Sequence, residues 1–129
     1  MNNDPKDKVF GTAMIEWIAR APNELPRDAV GLWQIVSAGV VNFDLSGSNL
    51  VEFVGRSIMA LLDAGALPVR GGNGTSHFWI YQPQFGATKD AVRRGVIAEW
   101  QRIGNDVDDL MDSIWFALPR PGENYVKMS

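Results

Sequence analysis

An α+β domain, mainly helical and carrying a small antiparallel sheet built on a β-hairpin, is the fold class that this sequence predicts. Apolar residues recur at spacings of three and four over four stretches, which gives four helices with one buried face each. The run Gly71-Gly72-Asn73-Gly74-Thr75 separates two short β-prone segments, a hairpin signal. A chain of 129 residues, 46% hydrophobic and 21% charged, has the composition of a globular domain. At that size folding buries about two-thirds of the unfolded surface, enough for one core. No repeat or linker divides residues 1–129, so they read as a single domain with irregular tails at 1–7 and 120–129.

The first helix is expected from Pro5 to Ala21, where Phe10, Ala13, Met14, Trp17, Ile18 and Ala21 share a face and Pro22 ends it. A second is expected to open near Pro26, a residue suited to the first helical turn, with Ala29, Val30, Leu32, Trp33 and Val36 as its buried stripe. Gly39 is its expected stop. Val40 to Leu45 is short, β-branched and bounded by Gly39 and Gly47, so it reads as a brief strand or extended connector.

Asn49, with Glu52 three residues on, has the pattern of a capping box, and Leu50, Phe53, Val54, Ile58, Leu61 and Leu62 follow at helical spacing. Gly65 is placed for a left-handed cap, with Pro68 just beyond it. The hairpin arms are Leu67 to Arg70 and Ser76 to Gln82. Alternation in the second arm sets Phe78 and Ile80 on one face, Trp79 and Tyr81 on the other, and Pro68 confines the first arm to a sheet edge or strand start. Thr88 is the expected cap of a fourth helix that runs to Gly104, with Val92, Val96, Ile97 and Trp100 buried. An acidic loop, Asp106 to Asp112, then leads to Ser113–Leu118 as a last extended segment.

Composition excludes several classes of function. No apolar run approaches the roughly 20 residues that cross a bilayer. The polar N-terminus lacks the layout of a secretory signal, and cysteine is absent, so a cytoplasmic location is expected. The net charge is −3, with five basic against eight acidic residues in 1–64 and seven against seven in 65–129. Neither half has the basic excess of a nucleic-acid binder.

The search for chemistry gives no catalytic set. His77 is the one histidine, and no base, nucleophile or orienting partner accompanies it in the sequence. Without cysteine and with one histidine, a zinc site lacks ligands. Asp106, Asp108, Asp109 and Asp112 are spaced somewhat like calcium ligands, but Leu110 and Met111 fall where ligands or the turn belong, and the sharp-turn glycine is missing. The glycine run lacks the Lys and Ser or Thr of a phosphate loop, and Asn73-Gly74-Thr75 is a turn, not a glycosylation site, in a chain expected to stay in the cytosol. No cofactor and no enzymatic activity are expected.

Two resemblances follow from these residues. The order helix, helix, short strand, helix, hairpin over residues 8–82 resembles a winged-helix domain, with Asn49 to Ala64 in the recognition-helix position and Gly71 to Thr75 as the wing tip. That resemblance implies DNA binding by a transcription regulator, but Arg56 is the helix's sole basic residue, against Glu52 and Asp63. The acidic stretch Asp106 to Asp112, the Trp115-Phe116 segment and the small cysteine-free build resemble bacterial immunity proteins of contact-dependent growth-inhibition and related polymorphic toxin systems. This resemblance implies tight binding to a cognate toxin domain, often a nuclease, by covering its active or substrate-binding surface. In that setting Asp106, Asp108, Asp109 and Asp112 would steer a basic partner, and Trp79 and Tyr81 would anchor it.

Overall fold

The computed structural model describes residues 13–71 and 79–119. His77, Phe78, Phe10, the hairpin tip and the expected tails lie outside them. Within these bounds the chain is a mainly helical α+β fold with a four-stranded antiparallel sheet. Among the described residues no helix is long and apolar enough to cross a membrane.

The first helix, α1 (Met14–Arg20), passes directly into a 3-10 turn, Ala21–Glu24. Pro22 therefore narrows the helix without ending the helical path. Proline lacks an N–H, but the first turn of a helix needs none from it. The expected second helix begins later than its apolar stripe suggests. Val30–Gly31 form a strand, β1, and helix α2 covers only Leu32–Ser37. Val30 is captured by pairing with Phe116, so a tertiary partner overrides the helical periodicity. Gly31 ends the strand and starts the helix: its N–H, directed away from the ladder, donates to Gln34 Oε1 at 2.7 Å.

Val40-Val41-Asn42 is not a strand. Ala38–Asn42 continue α2 as a π-helical turn, closed by Phe43 N–H donating to the Ala38 carbonyl at 3.2 Å. Gly39 lies inside this turn instead of stopping the helix. A Cβ on Gly39 would stand 2.6 Å from Leu50 Cδ1 and 2.9 Å from Phe53 Cδ2. The bare glycine is what lets the widened turn lie against the next helix.

That helix, α3 (Gly47–Asp63), starts two residues before Asn49, with Ser46 in the cap position, so the Asn49–Glu52 pair is not a capping box. Its buried side carries Leu50, Phe53, Val54, Ile58, Leu61 and Leu62, as the spacing predicts. Phe53 is the hub. Its ring lies 5.3 Å from that of Trp17 and 5.6 Å from that of Phe43. Gly65, at φ +98°, ends the helix in a left-handed conformation that glycine adopts without strain.

Strands β2 (Leu67–Gly71) and β3 (Trp79–Tyr81) form the expected hairpin. Helix α4 (Lys89–Ile103) begins on a Thr88 cap that accepts from Ala91 N–H and ends at Gly104, φ +92°. The acidic segment is not a loop but a short helix, α5 (Val107–Met111), followed by β4 (Trp115–Ala117). Sheet order is β1-β4-β2-β3, so the last strand inserts between the first and the hairpin. Pro68 consequently stands in a central strand, not at an edge. Its register is compatible: opposite it lies Gln82, one residue past β3, and that pairing uses the Pro68 carbonyl, which accepts from Gln82 N–H at 2.9 Å.

The observed order puts the short strand before the second helix, whereas the sequence places it after. Val30 and Phe116 belong to the main core with the helices, while Ala29, Val69 and Ala117 form a smaller cluster against which Trp115 packs. Gly39→Ala is expected to lower stability by about 1–3 kcal/mol through overpacking at the π-turn. A urea melt with an unchanged midpoint would show that α3 yields easily there.

Candidate functional site

Helix α5 buries one side chain. Leu110 is buried and packs in the main core, while the aspartates at 106, 108, 109 and 112 are exposed. Asp106 is the N-cap, its carboxylate accepting from Asp109 N–H at 3.1 Å. The acidic side chains are thus spread around a helical turn. Among the described residues no three acidic or histidine groups gather in a way that would hold a metal ion.

The charge balance of α5 differs from that of α4. On α4, Asp90 is paired with both Arg93 and Arg94, and Glu99 is paired with Arg102. Asp63 at the end of α3 is reached by Lys89 at 3.3 Å. None of the four α5 aspartates is paired with a basic residue among those described. Asp108 and Asp109 sit in the first turn, where the helix dipole favours negative charge, but Asp112 is at the C-terminal cap, where it does not.

The pairings on α4 also settle its electrostatics. The Arg93 hydrogen bond, assisted by the charge of Arg94, holds the Asp90 carboxyl below its ordinary 3.8, against the opposing effect of desolvation. Glu99 is lowered in the same way, first by its hydrogen bond from Arg102, with Arg70 adding a favourable charge. Arg93 and Arg94 are therefore both engaged by the Asp90 carboxylate.

The sheet joins α5 to the aromatic hairpin. Trp115 Nε1 donates to the Met111 carbonyl at 2.9 Å, tying β4 to the end of α5. In register, Trp115 lies opposite Gly31 on one side and Val69 on the other, and Val69 lies opposite Tyr81. Tyr81 is thus two strand spacings, about 10 Å, from Trp115 on the same sheet face. It is half-buried, and Ile80 on the opposite face is 54% exposed, as the alternation predicts. Trp79 is opposite Gly71, and its side chain lies outside what the structure describes.

Sequence reasoning missed the apolar flank of this surface. Val107 and Met111 are 46% and 42% exposed beside the aspartates. Their four-residue spacing was a readable signal once Asp106, three residues before Asp109, is taken as a helix cap. No family model, curated protein or solved structure matches the chain.

Two outcomes are expected. Because Asp90 is lowered by its arginines, the stability it gives is present above its unfolded pKa and is lost as pH falls through the lower folded value. Arg93→Ala should move the Asp90 carboxyl resonance titration upward, and the difference in urea midpoint between the two proteins should shrink in acid. An Asp90 titration unchanged in the variant would refute the pairing. Asp112→Asn removes an adverse charge at the helix end and should stabilise the fold by about 0.3 kcal/mol or more, read in the same urea melts.

Proposed function

We propose that this protein is an immunity protein that binds a cognate toxin domain, a nuclease, and neutralises it by covering its active or substrate-binding surface. The observation that carries the reading is the set of four exposed aspartates around α5 that have no basic partner among the described residues. A nuclease holds a polyanion with basic side chains, and a ridge of carboxylates offers it a substitute for phosphate charge. Val107 and Met111 add apolar area next to those charges, and Tyr81 supplies an aromatic contact on the adjoining sheet face, with Trp79 two residues away in the same strand.

A protein partner is favoured over DNA by the state of the arginines. A basic surface from Arg70, Arg93 and Arg94 is what a winged-helix regulator would need here, yet two of the three, Arg93 and Arg94, are ion-paired with Asp90. Cations already engaged by carboxylates release fewer counterions from DNA and gain less from phosphate. In this proposal the protein acts by occupancy and carries out no reaction.

The test starts at the neighbouring genes, where the reading expects a large secreted protein with a variable C-terminal domain, and continues with co-expression of that domain and this chain. The expected result is rescued growth and a stable complex on purification. Failure of both sinks the reading. With the complex in hand, Asp108→Lys combined with Asp109→Lys should slow association by roughly tenfold or more at low salt, with the gap closing as salt rises. A rate unaffected by the double reversal would remove α5 from the interface.

A further inference from the structure

A cavity of about 210 Å³ lies where α1, the 3-10 turn and the β1–α2 junction meet, lined by Trp17, Ala21, Glu24, Asp28, Ala29, Val30 and Gln34. Three features define what it can accept. First, Glu24 and Asp28 are on one helical turn, since Asp28 N–H donates to the Glu24 carbonyl at 2.9 Å. Both side chains line the cavity, so two carboxylates contribute negative charge to its wall. Neither is ion-paired among the described residues, although Arg20 and Arg27 are close in sequence and Arg20 pairs with Glu16 instead. Second, Trp17 packs against the core through Phe53, 5.3 Å between ring centroids, and also lines the space, so an indole forms part of its wall. Third, Gln34 is locked by Gly31 N–H on Oε1, which settles its amide orientation and leaves its NH2 as a donor.

We propose that this cavity receives an arginine side chain of the partner protein. Two carboxylates match the several N–H donors of a planar guanidinium, which also stacks on indole. An ammonium satisfies the charge but neither the fork nor the stacking. The Gln34 NH2 supplies a donor for a carbonyl of the segment that carries the arginine. Occupancy would place a cation between walls that carry Glu24 and Asp28. The inference deepens the proposed function by naming a side chain that a basic toxin surface would insert, at a place separate in sequence from α5.

The test uses the free protein and small probes, so it does not depend on a toxin. Trp17 indole and Gln34 amide resonances are followed while N-acetyl-arginine amide is added, with N-acetyl-lysine amide, spermidine and sodium chloride at matched ionic strength as controls. Arginine amide should give saturable shifts at both groups. Glu24→Gln with Asp28→Asn, which keeps the Asp28 side-chain oxygen that accepts from Ala29 N–H, should weaken them by roughly tenfold or more. Shifts that do not saturate, that persist in the double variant, or that lysine amide or spermidine reproduce equally would overturn the proposal. Arginine binding by a protein that fails to retain the toxin domain would count against the immunity reading alone, and toxin retention without arginine binding against this cavity alone.

Discussion

The packing of α3 around Phe53 is the constraint on which the other elements depend. Its buried side takes α1 through Trp17, the π-turn through Phe43 and Gly39, and α4 through Gly55, where an added Cβ would meet Ile97 at 3.4 Å. A helix that accepts neighbours on three sides needs small residues where backbones approach and large ones between them. Gly39 and Phe53 meet that need at one contact. The left-handed Gly65 then turns the chain from α3 into β2, so the position of the sheet follows from the end of the same helix.

What could be read from the sequence was what local chemistry determines. The apolar side of α3, the Thr88 cap, the stops at Gly65 and Gly104 and the β2–β3 hairpin are each set by residues near one another in the chain. Val30 could not be assigned so, because its conformation is decided by Phe116, eighty-six positions away in the numbering. The π-turn was hidden for a different reason. Val40-Val41 has β-branched side chains, and the glycine beside them reads as punctuation, whereas Gly39 is there to clear Leu50 and Phe53. Of the two places open to Pro68, the strand start is the one it takes, as the second residue of β2, and its tolerance beside a central neighbour depends on where β3 stops. Of the candidate surface, the aspartates were legible as exposed acid, but their winding into a helix pinned by Leu110 depends on the core beneath. The cavity beside Trp17 joins residues from 17 to 34 through a turn whose shape no periodicity conveys.

Charge is distributed unevenly over this surface, and the unevenness is informative. Along α4 acids and bases alternate at helical spacing and satisfy one another, as expected of a solvated helix face. Along α5 the acids have no such partners among the described residues, and one of them opposes the helix dipole. Stability accounts for Asp106, Asp108 and Asp109 through the cap and the dipole, but not for Asp112. In the proposed complex an oppositely charged partner would give Asp112 a reason, and exposed Val107 and Met111 would offer area from which that partner would exclude water.

Gln34 has a consequence beyond the helix it starts. β1 is an edge strand, and its outward N–H at Gly31 is the kind of group to which another chain adds a strand. The glutamine side chain occupies that donor, and the Gly31 carbonyl turns into α2. Edge-to-edge polymerisation through β1 is thereby blocked by a side chain of the same molecule, three residues away. A second copy of the chain therefore finds no free donor at Gly31 on which to add a strand, and the lock needs neither a proline nor a lysine on the strand itself.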